Sequence, residues 1–157
     1  MKKVLYIAIG VLILGALWFA YYAISPLFRT IKVDEAVPQT SQAEHTQSEE
    51  SHQQAVSASV VGTTGHPASG TVRVIAADGK AYIRYENFKT INGPDLYVYL
   101  AKDLDAKEYV SLGTLRATEG NVNYEIPQNV NPAEYRYVMT WCKQFGVLFN
   151  YADISKL

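Results

Sequence analysis

From Val4 to Ile24 the chain reads VLYIAIGVLILGALWFAYYAI, 21 consecutive positions without a charge. A helix rising about 1.5 Å per residue would carry this run across the roughly 30 Å hydrocarbon core of a bilayer. The first expectation is therefore a membrane span over residues 4–24, with lipid as its partner. Lys2 and Lys3 precede it, whereas Arg29 and Lys32 beyond it are followed by Asp34 and Glu35. This bias puts the N-terminus in the cytoplasm and all that follows Ile24 outside it, at a cell membrane crossed once. Trp18, Phe19, Tyr21 and Tyr22 gather at the outer end, where amphipathic rings settle at the interface. The alternative is a cleaved signal peptide, but the run exceeds the roughly 7 to 15 residues of an h-region and no A-x-A-like site follows it, which favours an uncleaved anchor. Gly10 and Gly15 are spaced wrongly for a G-x-x-x-G dimer face, so residues 1–29 read as anchor alone.

Residues 30–58 are expected to form a disordered tether. The stretch VPQTSQAEHTQSEESHQQAVS, Val37 to Ser57, is nearly empty of large apolar side chains, so burial cannot offset the entropy of ordering it. As a flexible coil its roughly 20 residues span about 25 Å. His45 and His52 fall within it and read as solvated.

The folded part is expected over residues 59–157. Strand-like segments run from Gly70 to Ala77, Lys80 to Asn87, Leu96 to Ala101, Tyr109 to Leu115, Asn121 to Ile126, Tyr135 to Cys142 and Val147 to Tyr151. Asp78-Gly79 is the strongest hairpin signal, Asn92-Gly93-Pro94-Asp95 is a second turn, and Gly120, Pro127 and Pro132 punctuate the rest. No segment carries a helical period. Short strands with frequent turns predict an all-β domain, a single antiparallel β-sandwich, Ig-like or barrel-like, of about a hundred residues. From Ser59 onward there are ten Lys and Arg against ten Asp and Glu, so the domain lacks the positive field that draws nucleic acid.

The one cysteine, Cys142, stands between Trp141 and Lys143 at the end of an expected strand. Alternation puts Tyr135, Tyr137, Met139 and Trp141 on one face and Arg136, Val138, Thr140 and Cys142 on the other. The aromatic set reads as core, which leaves Cys142 on the more polar face, near a turn and within reach of solvent. The alternative is an inert, buried cysteine, the commonest state of a free thiol. A lone cysteine outside the cytoplasm has no intrachain partner, so Cys142 is a packing residue, an intermolecular partner or a reactive group. Lys143 is a weak candidate for lowering its pKa, because in an unbroken strand it projects to the opposite face.

Several words in order then carry a resemblance. They are His66 with Ser69-Gly70-Thr71, Asn87-Phe88, Gly93-Pro94-Asp95-Leu96 with Val98, Tyr99 and Leu100, and Tyr109, Leu112 and Gly113. Gly120, Tyr124, Ile126 and Pro127 follow, then Tyr135, Val138, Trp141-Cys142-Lys143, Phe145, Val147, Phe149 and Ala152. Their order and spacing from His66 to Ala152 resemble the DM-thirteen domain, an electron-transfer family found beside DOMON modules in animals and in membrane-anchored bacterial proteins. The resemblance implies a β-sandwich whose family cysteine, matched by Cys142, is redox-active.

The residues themselves supply no cofactor site, although haem or copper stays open. Metal candidates in the folded part are weak: His66, Cys142 and Met139. A blue-copper centre needs two His, a Cys and an axial Met, and Met139 is expected to face away from the thiol. C-x-x-C-H is absent, and a zinc site has too few ligands. Asp103, Asp105 and Glu108 read as a solvated loop in preference to a calcium site. A single His with no orienting companion disfavours hydrolytic or transferase chemistry. Nine tyrosines lie in the folded part, mostly as half-buried strand residues and otherwise as a partner surface or electron way-stations. Two functions follow. One is redox or thiol exchange by Cys142 with an extracytoplasmic partner protein. The other is a non-catalytic surface module, binding protein or glycan, in which the cysteine is structural.

Overall fold

The computed structural model describes residues 2–39 and 56–157. A first helix, α1, covers Lys2–Ile24 and buries none of its side chains. Among the described residues it is the one helix long and apolar enough to cross a membrane. A short 3-10 turn, Ser25–Phe28, follows it, with Pro26 where a missing N–H costs nothing.

Ten strands follow: β1 Lys32–Asp34, β2 Ala58–Ser59, β3 Val61–Gly62, β4 Ala68–Ala77, β5 Lys80–Thr90, β6 Leu96–Ala101, β7 Tyr109–Thr114, β8 Glu119–Ile126, β9 Tyr137–Cys142 and β10 Val147–Asp153. They form two five-stranded sheets, ordered β1-β8-β5-β4-β2 and β3-β10-β9-β6-β7. The domain is the expected all-β sandwich. Each of the seven expected strands exists. The β4–β5 hairpin turns at Asp78 and Gly79, both at positive φ (49° and 72°), the backbone that a two-residue hairpin of this hand requires. Between the sheets lie Val72, Ile83, Tyr85 and Val122 from the first and Val98, Leu100, Val138 and Ala152 from the second, all essentially free of solvent.

Most of these strands shift at one end by one to three residues, and two differences matter here. β9 begins at Tyr137 because Tyr135 closes a 3-10 turn, Pro132–Glu134, whose first N–H is capped by Asn131 Oδ1 at 3.2 Å. The larger difference lies in the segment read as tether. Residues 32–34 are built into the first sheet: β1 runs parallel to β8, with Lys32 opposite Glu119, Val33 opposite Gly120 and Asp34 opposite Asn121, and Ile31 and Glu35 on either side bond to the same edge. Among the described residues this is the one parallel pair in the sandwich. Ala58 and Ser59, at the other margin, pair with β4. The remainder of the expected tether, residues 40–55 with His45 and His52, lies outside the described residues.

Polar contacts hold β1 in place. The Glu35 carboxylate accepts from the Asn123 backbone N–H at 2.7 Å and from Arg116 at 2.8 Å. Arg84, 5% exposed, donates to the carbonyl oxygens of Glu35 and Ala36 at 3.0 and 3.1 Å. Gly120 is the position this arrangement demands. Its φ is 114°, and a Cβ there would overlap the Val33 carbonyl oxygen.

Candidate functional site

Cys142 ends β9, opposite Leu96 of β6 on one side and Val147 of β10 on the other. Strand alternation holds, but the faces are the reverse of those expected. Val138, Thr140 and Cys142 point between the sheets and are fully buried, whereas Tyr137, Met139 and Trp141 stand on the outer face. The reason is size and polarity. β-branched and small residues fill the narrow space between sheets, and rings with polar tips cover the outer face, half in water. Met139 is buried there too, beneath Tyr97, Tyr99, Trp141 and Tyr151. The solvent-reachable Cys142 expected from the sequence is thus corrected. The thiol is 0% exposed.

Leu96 and Phe149 enclose the sulfur, with Ile91 and Leu115 packed against them. This small cluster is separate from the main core and sits at the end of the sandwich where β9 turns into β10. The turn, residues 143–146, is exposed. One backbone bond, from Lys143 N–H to the Asp95 carbonyl at 2.9 Å, ties it to the turn before β6.

The other candidates lie around Cys142 without joining it. Lys143 places its ammonium 5.3 Å from the Tyr97 ring centroid, on the outer face and away from the sulfur. His66 stacks on Phe149 with ring centroids 4.0 Å apart, and its Nδ1 lies 3.2 Å from Thr63 Oγ1. Met139 belongs to the opposite face. Among the described residues no group of three His, Cys, Asp or Glu could hold a metal ion. In the loop between β6 and β7, Asp105 pairs with Lys107 at 2.9 Å and Glu108 with Lys102 at 2.8 Å, while Asp103 accepts two backbone N–H groups.

Two features escaped the sequence reading. Two residues before Cys142, on the same inward face, Thr140 begins a buried polar group. Thr140 Oγ1, Tyr85 Oη and Asn150 Oδ1 are all buried without a hydrogen-bond partner among the described residues. Asn150 Nδ2 does donate to Thr90 Oγ1 at 3.0 Å. Burial pushes the Tyr85 phenol far above its ordinary range. The sequence signal was Thr140 and Asn150 standing in otherwise apolar strands. The second feature is the aromatic outer face. Tyr99 stacks on Tyr109 at 4.1 Å and neighbours Tyr97 at 6.1 Å, and Tyr137 meets Tyr151 edge-on at 5.8 Å. Desolvation, with Tyr109 beside it, raises the Tyr99 phenol to about 12.

An apolar N-terminal helix followed by a two-sheet sandwich with one enclosed thiol and a tyrosine-covered outer face defines a small β-domain module. The family model for Electron transfer DM13 matches residues 60–154, more than half of the chain. The protein belongs to that family. No curated protein and no solved structure matches the chain.

Proposed function

We propose that this protein is a membrane-anchored, outward-facing electron-transfer module in which Cys142, acting with a partner protein, is the redox-responsive group. The family's electron-transfer description supports the coarse reading. The observation carrying the finer one is the position of Cys142: the only cysteine, in a small cluster of its own, one residue from an exposed turn. A thiol that close to a turn is uncovered by local opening, without unfolding the main core. The chemistry matching one thiol and no resolving cysteine is exchange with a partner's disulfide. Cys142 loses its proton to solvent and its thiolate forms a new S–S bond as the partner's S–S bond breaks; the displaced partner sulfur keeps the electron pair and takes up a proton.

The second reading is a non-catalytic display module that binds a protein or glycan. The complete burial of Cys142 and the tyrosine-covered outer face favour it. Full-length protein in membranes, treated with a thiol reagent and a small disulfide, separates the two. The redox reading expects slow adduct formation under native conditions, lost in Cys142→Ser, and a partner-sized species on non-reducing gels. A thiol that stays silent until the protein is denatured would overturn it.

A further inference from the structure

The chain from the helix to the sandwich has almost no slack. After the 3-10 turn only residues 29–31 precede β1, and they too are held. Asn92 Nδ2 donates to the Arg29 carbonyl at 3.1 Å, and the Ile31 N–H donates to Thr118 Oγ1 at 2.8 Å. These contacts fall at the end of the sandwich where β5 and β9 finish and β6, β8 and β10 begin, the end that holds Cys142. The β9–β10 turn lies at the same end. Phe145, 45% exposed at its tip, meets Phe19 of α1 edge-on with ring centroids 6.4 Å apart. Phe19 lies five residues inside the end of the apolar run, or about 7 Å along the helix, level with the stacked Trp18 and Tyr22.

We propose that the turn Lys143–Gly146, with Phe145 at its tip, is seated in the membrane interface, so that the Cys142 end of the sandwich rests on the bilayer. The proposal depends on α1 being a membrane anchor. That depth matches the headgroup and acyl boundary, where an apolar ring buries while neighbouring cations stay among the headgroups. Charge distribution agrees. Arg29, Lys89 and Lys143 cluster at this end without an ion-pair partner among the described residues. Lys32 lies there too, paired with Glu119 at 3.1 Å, and with Asp95 before β6 as the other carboxylate, the cations outnumber the carboxylates at this end among the described residues. The occupant is therefore a lipid surface carrying anionic headgroups. A cleft of about 320 Å³ between Pro26, Arg29, Asn92, Leu96 and Leu115 opens at the same end. Leu96 and Leu115 also pack around Cys142.

The test uses full-length protein in nanodiscs of phosphatidylcholine with phosphatidylglycerol, spin-labelled in a Cys142→Ala background at Phe145→Cys, at Gln128→Cys beyond the opposite end of β8, and at Leu14→Cys within α1. Relative accessibility to oxygen and to a polar nickel chelate reports depth. The expected pattern is a lipid-side value at 145 and at 14 and a water value at 128. Water values at 145 beside lipid values at 14 overturn the seat and leave the anchor standing. Water values at 14 overturn both. Should the Cys142→Ala chain not fold, a photoreactive benzoylphenylalanine at 145 in the native-cysteine chain gives the same decision: crosslinks to lipid support the seat, and their absence beside lipid crosslinks from position 14 overturns it.

Discussion

The buried guanidinium of Arg84 grips the chain at Glu35, donating at 3.0 Å to its backbone carbonyl. The same group reaches the Ala36 carbonyl, Asn123 Oδ1 and the Glu86 carboxylate, the last at 2.8 Å. A cation in the middle of β5 thus fastens the segment that follows α1 onto the sandwich.

Replacing Arg84 with Met removes all of these bonds and leaves Glu86 and two carbonyls short of a donor. We expect a loss of roughly 3 kcal/mol, the scale for truncating one member of a largely buried charged network. Chemical denaturation measures it. Hydrogen exchange at residues 32–36 should accelerate more than exchange in β9.

Gly120→Ala acts on the same strap from the other side. The substitution forces a Cβ into the Val33 carbonyl and an L-residue into positive φ, which together cost about 2 kcal/mol or more. The expected signature is local: amide protection lost over residues 31–36 while the β4–β5 hairpin keeps its own. Uniform loss across the domain would contradict an independently detachable β1.

Thr140→Val tests the buried polar group. Thr140 Oγ1 and Tyr85 Oη face each other in the core without a well-formed hydrogen bond, so removing the Thr140 hydroxyl should change stability by about 1 kcal/mol at most. Tyr85→Phe should behave alike. A loss above about 1 kcal/mol in either variant would mean that the hydroxyl binds a buried water.

Tyr99 makes an alkaline prediction. Its folded-state pKa, about 12, stands above the ordinary value of 10.0 because burial disfavours the phenolate. The folded state therefore prefers the neutral ring. Its contribution to stability is complete below about pH 10 and is lost as pH climbs toward 12. Absorbance of ionising tyrosine should show a late group that vanishes in Tyr99→Phe, and stability should fall less steeply over that window in the variant.

Much of this was legible from one dimension. Gly and Pro punctuation and period-2 alternation located seven strands, since turn chemistry and pleat are local properties of the backbone. The helix over the Val4–Ile24 run was legible for the same reason: an unbroken apolar stretch of that length is a local property. The direction in which β9 faces was not. Alternation pairs Val138, Thr140 and Cys142 on one side but does not say which side meets the other sheet, and the bulky aromatic set was the wrong guide. β1 was equally hidden. Three residues of mixed polarity, Lys32–Asp34, carry no strand signal of their own and become a strand only because β8 offers an unpaired edge.

The sequence by itself determined an apolar N-terminal run long enough to cross a bilayer, an all-β domain beyond it and one cysteine at a strand end beside a turn, because each depends on composition or short-range period. Only the tertiary structure decided that Cys142 is sealed between Leu96 and Phe149, that Lys143 turns toward Tyr97, and that residues 32–34 join the sheet. Those facts rest on contacts between positions far apart in the chain, such as Glu35 with Arg84 and Ile31 with Thr118. Packing two sheets face to face selects them, and no local pattern encodes that choice.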